Sequence, residues 1–130
     1  MKPIRVLILF YSLTGATAKL AECVAKGAQK LPRARVAIKR VSELMSASTF
    51  DRKPKLKKIK TALEHKYPPA TVQDLLECDA VAFGTPVHFG SFAAQIKEFI
   101  DQLSPVWLEG HLVDKPAAVF CSAASLHGGE

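Results

Sequence analysis

The first thirty residues most strongly constrain what this chain can fold into. Residues 4–10 (IRVLILF) form a nearly continuous apolar run, which is typical of a strand buried on both faces of a parallel sheet. The run ends at a turn over residues 12–15, and from Thr17 to about Lys30 apolar residues recur every four positions, as on an amphipathic helix. A buried strand, a tight turn and an amphipathic helix in this order predict an α/β fold.

The rest of the chain continues this alternation. Residues 35–41 predict a second strand, residues 79–84 a third and residues 117–122 a fourth, with a loop over residues 85–90. A helix is predicted before the fourth strand by five apolar residues at helical spacing: Phe92, Ile96, Phe99, Ile100 and Leu103. Of these we expect Phe92, Phe99 and Ile100 in the core. The expected architecture is a doubly wound parallel sheet in three layers, α/β/α, with ligand-binding loops at its carboxyl edge.

The chain of 130 residues is long enough for a single domain with one core. Residues 42–72, rich in Ser, Lys and Pro, interrupt the alternation and predict an insertion, with a short helix at about residues 56–65 and a helical turn at residues 72–76. A five-stranded fold of this type would need a further strand and helix after Glu130. We therefore expect the domain of residues 1–130 to lack its last strand and helix.

The net charge of +6 is concentrated in one segment. Residues 51–66 contain seven basic and two acidic residues, while the rest of the chain is close to neutral. The segment has no interleaved aromatic residues, so nucleic-acid binding is not expected. A solvated Lys-rich segment is the simplest interpretation, and an anion-docking patch is the alternative.

The cysteines and the hydropathy pattern indicate a cytoplasmic protein. Three widely spaced cysteines without a C-x-x-C pair favour neither a disulfide framework nor a zinc site, and we expect Cys121, inside the fourth strand, to be a small buried hydrophobe. The longest uncharged apolar run, residues 6–11, is far short of the roughly 20 residues that cross a bilayer. No metal site is expected, because no histidine lies at ligand spacing from a cysteine or a carboxylate.

The turn after the first strand carries the strongest chemical signal. The hydroxyls of Ser12, Thr14 and Thr17 surround Gly15 at the start of a helix, where backbone N–H groups and the helix dipole can bind a phosphate dianion. The alternative is that one of these hydroxyls only caps the helix. The turn lacks the glycines of a dinucleotide site and the G-x-x-x-x-G-K-[ST] of a P-loop, which leaves the phosphate of a mononucleotide.

Four stretches of the sequence resemble one known family. Residues 12–17 (SLTGAT) resemble the T/S-x-T-G-x-T phosphate loop of flavodoxins. The remaining three resemble the WrbA-type NAD(P)H:quinone oxidoreductases, a flavodoxin-like FMN family: residues 83–92 (FGTPVHFGSF), 103–107 (LSPVW) and 120–130 (FCSAASLHGGE). The resemblance covers the chain from the first strand onward, except for residues 51–66.

The resemblance implies FMN as cofactor, NAD(P)H as electron donor and a quinone as substrate. The residues implied to hold the FMN phosphate are Ser12, Thr14, Gly15, Ala16 and Thr17. Those implied to line the isoalloxazine ring are Pro86, Val87, His88, Phe89 and Gly90 on one side, and Ser122, Ala123, Ala124 and Ser125 on the other. His88 and Trp107 are the implied catalytic residues, and His88 stands where the family often has Arg. Family members assemble as dimers or tetramers.

Two other functions remain open at this point. A flavodoxin-type electron carrier would bind FMN without a turnover of its own, although such carriers are usually acidic. A truncated, inactive remnant would keep the fold and lose the flavin. The function that we expect is two-electron transfer from NAD(P)H to quinones.

Overall fold

The computed structural model describes residues 1–128. Its elements in chain order are β1 (Ile4–Phe10), α1 (Ala16–Ala28), β2 (Ala34–Arg40), α2 (Ala47–Asp51), α3 (Pro54–Lys66), α4 (Val72–Glu77), β3 (Ala80–His88), β4 (Ser91–Phe92), α5 (Ala94–Asp101), α6 (Ser104–Leu108) and β5 (Ala117–Ser122).

Four of the strands form a parallel sheet in the order β2-β1-β3-β5, and β4 pairs antiparallel with the end of β3. The expected doubly wound, flavodoxin-like sheet is therefore confirmed. Because β1, β3 and β5 run in the same direction, the segments that follow them meet at one edge of the sheet. That edge is where the predicted site residues lie.

Strand β1 is buried on both faces, as its apolar run predicts. Leu7 and Leu9 face a cluster that includes Phe99 of α5. Ile8 and Phe10 face the opposite cluster, which includes Ala21 of α1. The alternation of side chains along β1 thus builds the two apolar interfaces of a three-layer α/β/α structure.

The expected loop over residues 85–90 is mostly strand. β3 continues to His88, and it forms a hairpin with β4 in which Val87 pairs with Phe92. The two turn residues, Phe89 and Gly90, both have positive φ, at 51° and 72°, as a two-residue type I′ turn requires. The Pro and Gly of this segment suggested a loop, but they mark the middle of a strand and a hairpin turn.

Two core predictions on the helix after this hairpin are wrong. Ile96, Phe99 and Leu103 are buried, but Phe92 is 46% exposed and Ile100 is 39% exposed. Phe92 lies in β4, before α5 begins, so the helical spacing that linked it to Ile96 does not apply there. Ile100 lies at the margin of the buried face of α5, next to Phe99.

Cys121 is exposed, which contradicts the expectation that it would be buried. Within residues 1–128, β5 pairs with β3 alone and forms an edge of the sheet. Phe120 turns toward the α1 cluster, while Val119 on the opposite face is 85% exposed. Cys121 shares that uncovered face with Val119, because alternate residues of a strand point the same way.

The segment of residues 42–72 contains two helices, α2 and α3, and the predicted short helix is thus confirmed and extended to Pro54–Lys66. The segment rejoins the sheet through a bridge between Arg40 and Pro69. α4 then begins with a capping box, in which the Thr71 hydroxyl accepts from the Asp74 N–H and the Asp74 carboxylate accepts from the Thr71 N–H. No helix within residues 1–128 is long and apolar enough to span a membrane.

Candidate functional site

The turn between β1 and α1 is narrow and partly buried. Ser12 and Thr17 are buried, whereas Thr14 and Ala16 are exposed. The Ser12 Oγ accepts a hydrogen bond from the Gly15 N–H at 3.1 Å and so closes the turn. Gly15 has a φ of 94° and immediately precedes α1; a residue with a Cβ would be strained at that φ.

The start of α1 presents unused hydrogen-bond donors. The first helical bond outside the Ser12 turn runs from the Lys19 N–H to the Gly15 carbonyl at 3.1 Å. Within residues 1–128, the backbone N–H groups of Thr14, Ala16, Thr17 and Ala18 donate to no protein acceptor. Unpaired donors at a helix N-terminus, with the positive end of the helix dipole behind them, form an anion-binding site.

The turn contacts the end of β5. The hydroxyl oxygens of Thr17 and Ser122 lie 2.8 Å apart, although 105 residues separate them in sequence. Ser122 is the last residue of β5, so this hydrogen bond brings the segment that follows β5 against the first turn of α1. The predicted phosphate turn and the segment after the last strand therefore form one continuous surface.

Gly84 in β3 leaves space for the Phe120 side chain of the neighbouring strand β5. A Cβ at Gly84 would lie 2.3 Å from the ring of Phe120, which covers the backbone of β3 at that point. Gly84 pairs with Phe120 across the sheet and with Phe10 on the other side. Only glycine leaves room for the Phe120 ring between β3 and α1.

The hairpin of β3 and β4 forms one wall of an open cleft next to the turn. The cleft has a volume of about 700 Å³, and its lining includes Leu13, Met45, His88, Phe89 and Phe92. Phe89 at the tip is 99% exposed. The His88 ring lies edge-on to the Tyr11 ring, with centroids 6.2 Å apart. A cleft that is mostly apolar, with polar groups at its margin, suits a flat aromatic ligand.

A partly buried hydrogen-bond network under the cleft was not predicted from the sequence. The Glu43 carboxylate accepts from the Tyr11 hydroxyl at 2.7 Å and from the Gln95 side chain at 2.7 Å. It also accepts from the N–H groups of Leu44 at 2.8 Å and Met45 at 3.0 Å. The network joins the end of β1 to the loop after β2 and to the start of α5.

The network changes the acidity of two side chains. Burial alone would raise the pKa of the Glu43 carboxyl, but the hydrogen bonds that it accepts hold the pKa below its ordinary value. Burial raises the pKa of the Tyr11 phenol far above its ordinary value, and the adjacent Glu43 carboxylate adds to this effect. Tyr11 therefore stays a hydrogen-bond donor and Glu43 a charged acceptor at neutral pH. No sequence signal pointed to this network, because Tyr11 and Gln95 are 32 and 52 residues away from Glu43 in the chain.

Comparison with known proteins identifies the family. The model of the NADPH-dependent FMN reductase family matches residues 4–130. The chain belongs to this family. The resemblance stated from the sequence motifs is therefore confirmed, and it extends over nearly the whole chain.

Two relatives within the family are named NAD(P)H dehydrogenase (quinone). The protein from Solidesulfovibrio magneticus is 39% identical over 125 residues, which cover 96% of this chain and 61% of that protein. The protein from Archaeoglobus fulgidus is 40% identical over 126 residues, which cover 97% of this chain and 65% of that protein. The chain thus spans about three-fifths of the length of these curated relatives.

Solved flavoproteins share the fold of this FMN reductase family chain. A flavodoxin described as WrbA-like, from Agrobacterium tumefaciens, has a TM-score of 0.67 at 24% identity and aligns over 97% of this chain and 64% of that one. A flavoprotein in complex with FMN, from Lactobacillus acidophilus, has a TM-score of 0.56 at 22% identity, over 94% of this chain and 76% of that one. At such identities the likeness shows the fold.

The structure places the predicted site residues in three groups. Ser12, Thr17 and Ser122 meet at the start of α1. His88 and Phe89 line the cleft, whereas Pro86 and Val87 lie inside β3. Ala123 and Ala124 follow β5 and are exposed, and Ser125 accepts from the Gly128 N–H at 3.1 Å.

Trp107 is separate from these groups. It lies in α6, is 68% exposed and is not among the residues that line the cleft. Its implied catalytic role stays a prediction. Among residues 1–128, no three His, Cys, Asp or Glu side chains come together as metal ligands.

Proposed function

We propose that the chain binds FMN and that the protein transfers two electrons from NAD(P)H to a quinone. The observation that carries the proposal is the row of unused N–H donors at the start of α1, adjacent to the Thr17–Ser122 contact. A phosphate group would satisfy these donors without a cationic side chain. The cleft beside them has room for a planar ring system.

The residues of the turn have distinct roles in this proposal. The N–H groups of Thr14, Ala16 and Thr17 donate to the phosphate oxygens, and the Thr14 hydroxyl, which is exposed on the turn, adds a further donor. Gly15 allows the turn its positive φ. Ser12 holds the turn closed by accepting from the Gly15 N–H.

Residues 86–90 and 122–125 enclose the ring. His88 and Phe89 stand on the hairpin side of the cleft, and residues 122–125 stand at the end of β5, next to the turn. Bound FMN would supply a group that accepts two electrons from NAD(P)H and gives them to the quinone. The chain orients the ring with backbone N–H groups, and Phe89 excludes water from one side of the cleft.

The names of the relatives support this choice of substrate, since proteins about 40% identical to this chain are called NAD(P)H dehydrogenase (quinone). We infer that the protein acts in the cytoplasm and as a dimer or tetramer, as the sequence resemblance implies. A reducing compartment agrees with the three free cysteines among residues 1–128.

The direct test is the visible absorption spectrum of the purified, undialysed protein, followed by denaturation and identification of the released chromophore. We expect a flavin spectrum and close to one FMN per chain. A colourless protein that also fails to bind added FMN would overturn the proposal.

Turnover is tested separately. Steady-state oxidation of NAD(P)H by a quinone, with no added reductase, is the expected result for the enzyme. A flavin-loaded protein that needs a separate reductase would instead be an electron carrier, and the proposed activity would be wrong.

A further inference from the structure

Helix α3, which carries most of the net positive charge of the chain, lies alongside α1 and runs in the same direction. A Cβ at Gly15 would lie 3.9 Å from the Cγ2 of Ile59. Seven residues further along both helices, Lys66 forms an ion pair with Glu22. Tyr67 donates its hydroxyl to the same carboxylate. Because the two contacts are seven residues apart on both helices, the facing edges of α1 and α3 share one register, with an offset of 44 residues.

This register places Lys55 beside the phosphate turn. Lys55 precedes Ile59 by four residues, so it lies on the same edge of α3 as Ile59 and Lys66. One helical turn is about 5.4 Å, and helical side chains lean toward the N-terminus of their helix. The register therefore places Lys55 about one helical turn beyond the level of Gly15, toward the end of the turn of residues 12–17 that carries the free N–H groups.

The charge of Lys55 is not neutralised by a neighbour. The ion pairs of α3 join Lys57 to Asp51 at 2.6 Å, Lys60 to Glu64 at 2.6 Å, and Lys66 to Glu22. Within residues 1–128, no carboxylate lies within 4.0 Å of the Lys55 ammonium group. The N-termini of α1 and α3, which carry the positive ends of the helix dipoles, point the same way.

From these contacts we infer that Lys55 is a specificity residue of the proposed FMN site, where it adds a cationic contact to the phosphate and favours FMN over the unphosphorylated flavin. The inference rests on the proposed function, because it concerns the same phosphate turn. It assigns a role to the Lys-rich segment, which otherwise covers the α1 side of the domain and buries none of its own side chains fully.

Riboflavin is the informative comparison ligand, because it has the ring and ribityl chain of FMN and lacks the phosphate. Contacts of the cleft with the ring affect both ligands equally. An ammonium group near the phosphate affects FMN alone, and salt weakens its effect because the site is open to solvent. The ratio of the two dissociation constants therefore isolates the contribution of Lys55.

The experiment is a titration of flavin-free protein with FMN and with riboflavin, followed by flavin fluorescence at low ionic strength. We expect Lys55→Gln to weaken FMN binding about 1.5- to fivefold, the range for one exposed ion pair, and to leave riboflavin binding unchanged. The matched control is Lys57→Gln, which removes the same charge from the opposite side of α3 and should leave both affinities unchanged. Lys55→Arg should restore the preference for FMN.

A salt series provides a second readout. The FMN affinity of the wild-type protein should fall more steeply with salt than that of Lys55→Gln, and the two should converge at about 0.5 M salt, where the Debye length is only a few ångström. Equal melting temperatures will show that the variants fold alike, as expected for an exposed side chain.

Three results would overturn the inference. If Lys55→Gln leaves the ratio of FMN to riboflavin affinity unchanged, or if it weakens both ligands alike, Lys55 does not contact the phosphate, and the proposed FMN site stands. If Lys57→Gln lowers the ratio as much as Lys55→Gln does, the effect comes from the net charge of α3 and not from the position of Lys55. If the wild-type protein binds neither flavin, the proposed function fails and the inference fails with it.

Discussion

The hydroxyl of Thr17, in the first turn of α1, lies 2.8 Å from the hydroxyl of Ser122 at the end of β5. Thr17 is 1% exposed and Ser122 is half-buried. Since β5 pairs only with β3 among residues 1–128, this bond is a direct link between the edge strand and α1. It also sets how far the segment after β5 stands from the phosphate turn.

The single variants Thr17→Val and Ser122→Ala should each have a free energy of unfolding that is lower than that of the wild type by about 0.5–1.5 kcal/mol, the net value of one such hydrogen bond. The double variant should cost less than the sum of the two, because each single change already breaks the bond. Urea denaturation of the four proteins measures this coupling. Strictly additive losses would mean that the bond does not contribute to stability.

Thr14→Glu should abolish FMN binding while the fold stays intact. Thr14 is exposed on the turn, so a carboxylate there meets solvent in the free protein and the phosphate dianion in the complex. Repulsion at this distance should weaken FMN at least about tenfold. Fluorescence titration measures it, with Thr61→Glu on the exposed face of α3 as the control. Normal FMN retention by Thr14→Glu would show that the phosphate lies elsewhere.

Gly84→Ala should be strongly destabilising, since the added Cβ would lie 2.3 Å from the Phe120 ring and 3.2 Å from the Phe10 Cβ. Overpacking of this kind costs about 1–3 kcal/mol. Gly27→Ala is the matched control. Its Cβ meets nothing within 4 Å in α1, so the change should be neutral or stabilise the protein by up to about 1 kcal/mol. Urea midpoints give both values, and equal effects at the two glycines would contradict the packing at Gly84.

Part of this structure follows from the sequence and part does not. The strand Ile4–Phe10 and its turn were predictable, because a nearly continuous apolar run is typical of a strand that helices cover on both faces of the sheet. The exposure of Phe92 and Cys121 was not predictable from the sequence, because burial depends on which elements pack against the face of the sheet where a residue lies. The hairpin turn at Phe89 and Gly90 was not predictable either, because its two positive φ angles are seen only in the structure and a bulky residue such as Phe rarely adopts such a φ.

The Glu43 network was beyond the reach of sequence patterns for another reason. Its side-chain partners, Tyr11 and Gln95, are 32 and 52 residues away, and no spacing rule connects residues in three different elements. In contrast, the Ser12 and Thr17 hydroxyls lie within one turn, where local backbone geometry fixes their positions. The candidate site was therefore predictable at the turn and not in the residues beneath the cleft.

Stability should depend on pH through Glu43. Its pKa is lower in the folded protein than in the unfolded chain, so the carboxylate stabilises the fold above the unfolded pKa, and the contribution is lost as the pH falls through the folded pKa. Glu43→Gln should therefore cost about 1–3 kcal/mol at neutral pH, the range for hydrogen bonds to a charged group. The difference from wild type should shrink below about pH 4. Urea midpoints from pH 3 to pH 7 measure it.

Two further variants sharpen the Glu43 prediction. Tyr11→Phe removes one donor to the carboxylate, so it should move the acid transition to higher pH. Glu77→Gln, on the exposed surface of α4, should leave the pH dependence of the wild type unchanged. A constant difference between wild type and Glu43→Gln across the whole pH range would show that the carboxylate charge is not what stabilises the network.

His88 should separate turnover from cofactor binding. It lines the cleft, and within residues 1–128 its ring contacts the Tyr11 ring edge-on while its nitrogens take part in no hydrogen bond. His88→Leu keeps an apolar side chain against Tyr11 and removes both nitrogens. If these nitrogens contact the substrate, kcat/KM for quinone reduction should fall about tenfold, the effect of one lost hydrogen bond, with FMN affinity nearly unchanged.

The control is His111→Leu, because the His111 ring contacts Glu109 outside the cleft. If His88→Leu keeps the wild-type kcat/KM, His88 is not a catalytic residue. If the variant loses FMN affinity as well as activity, His88 contacts the cofactor instead.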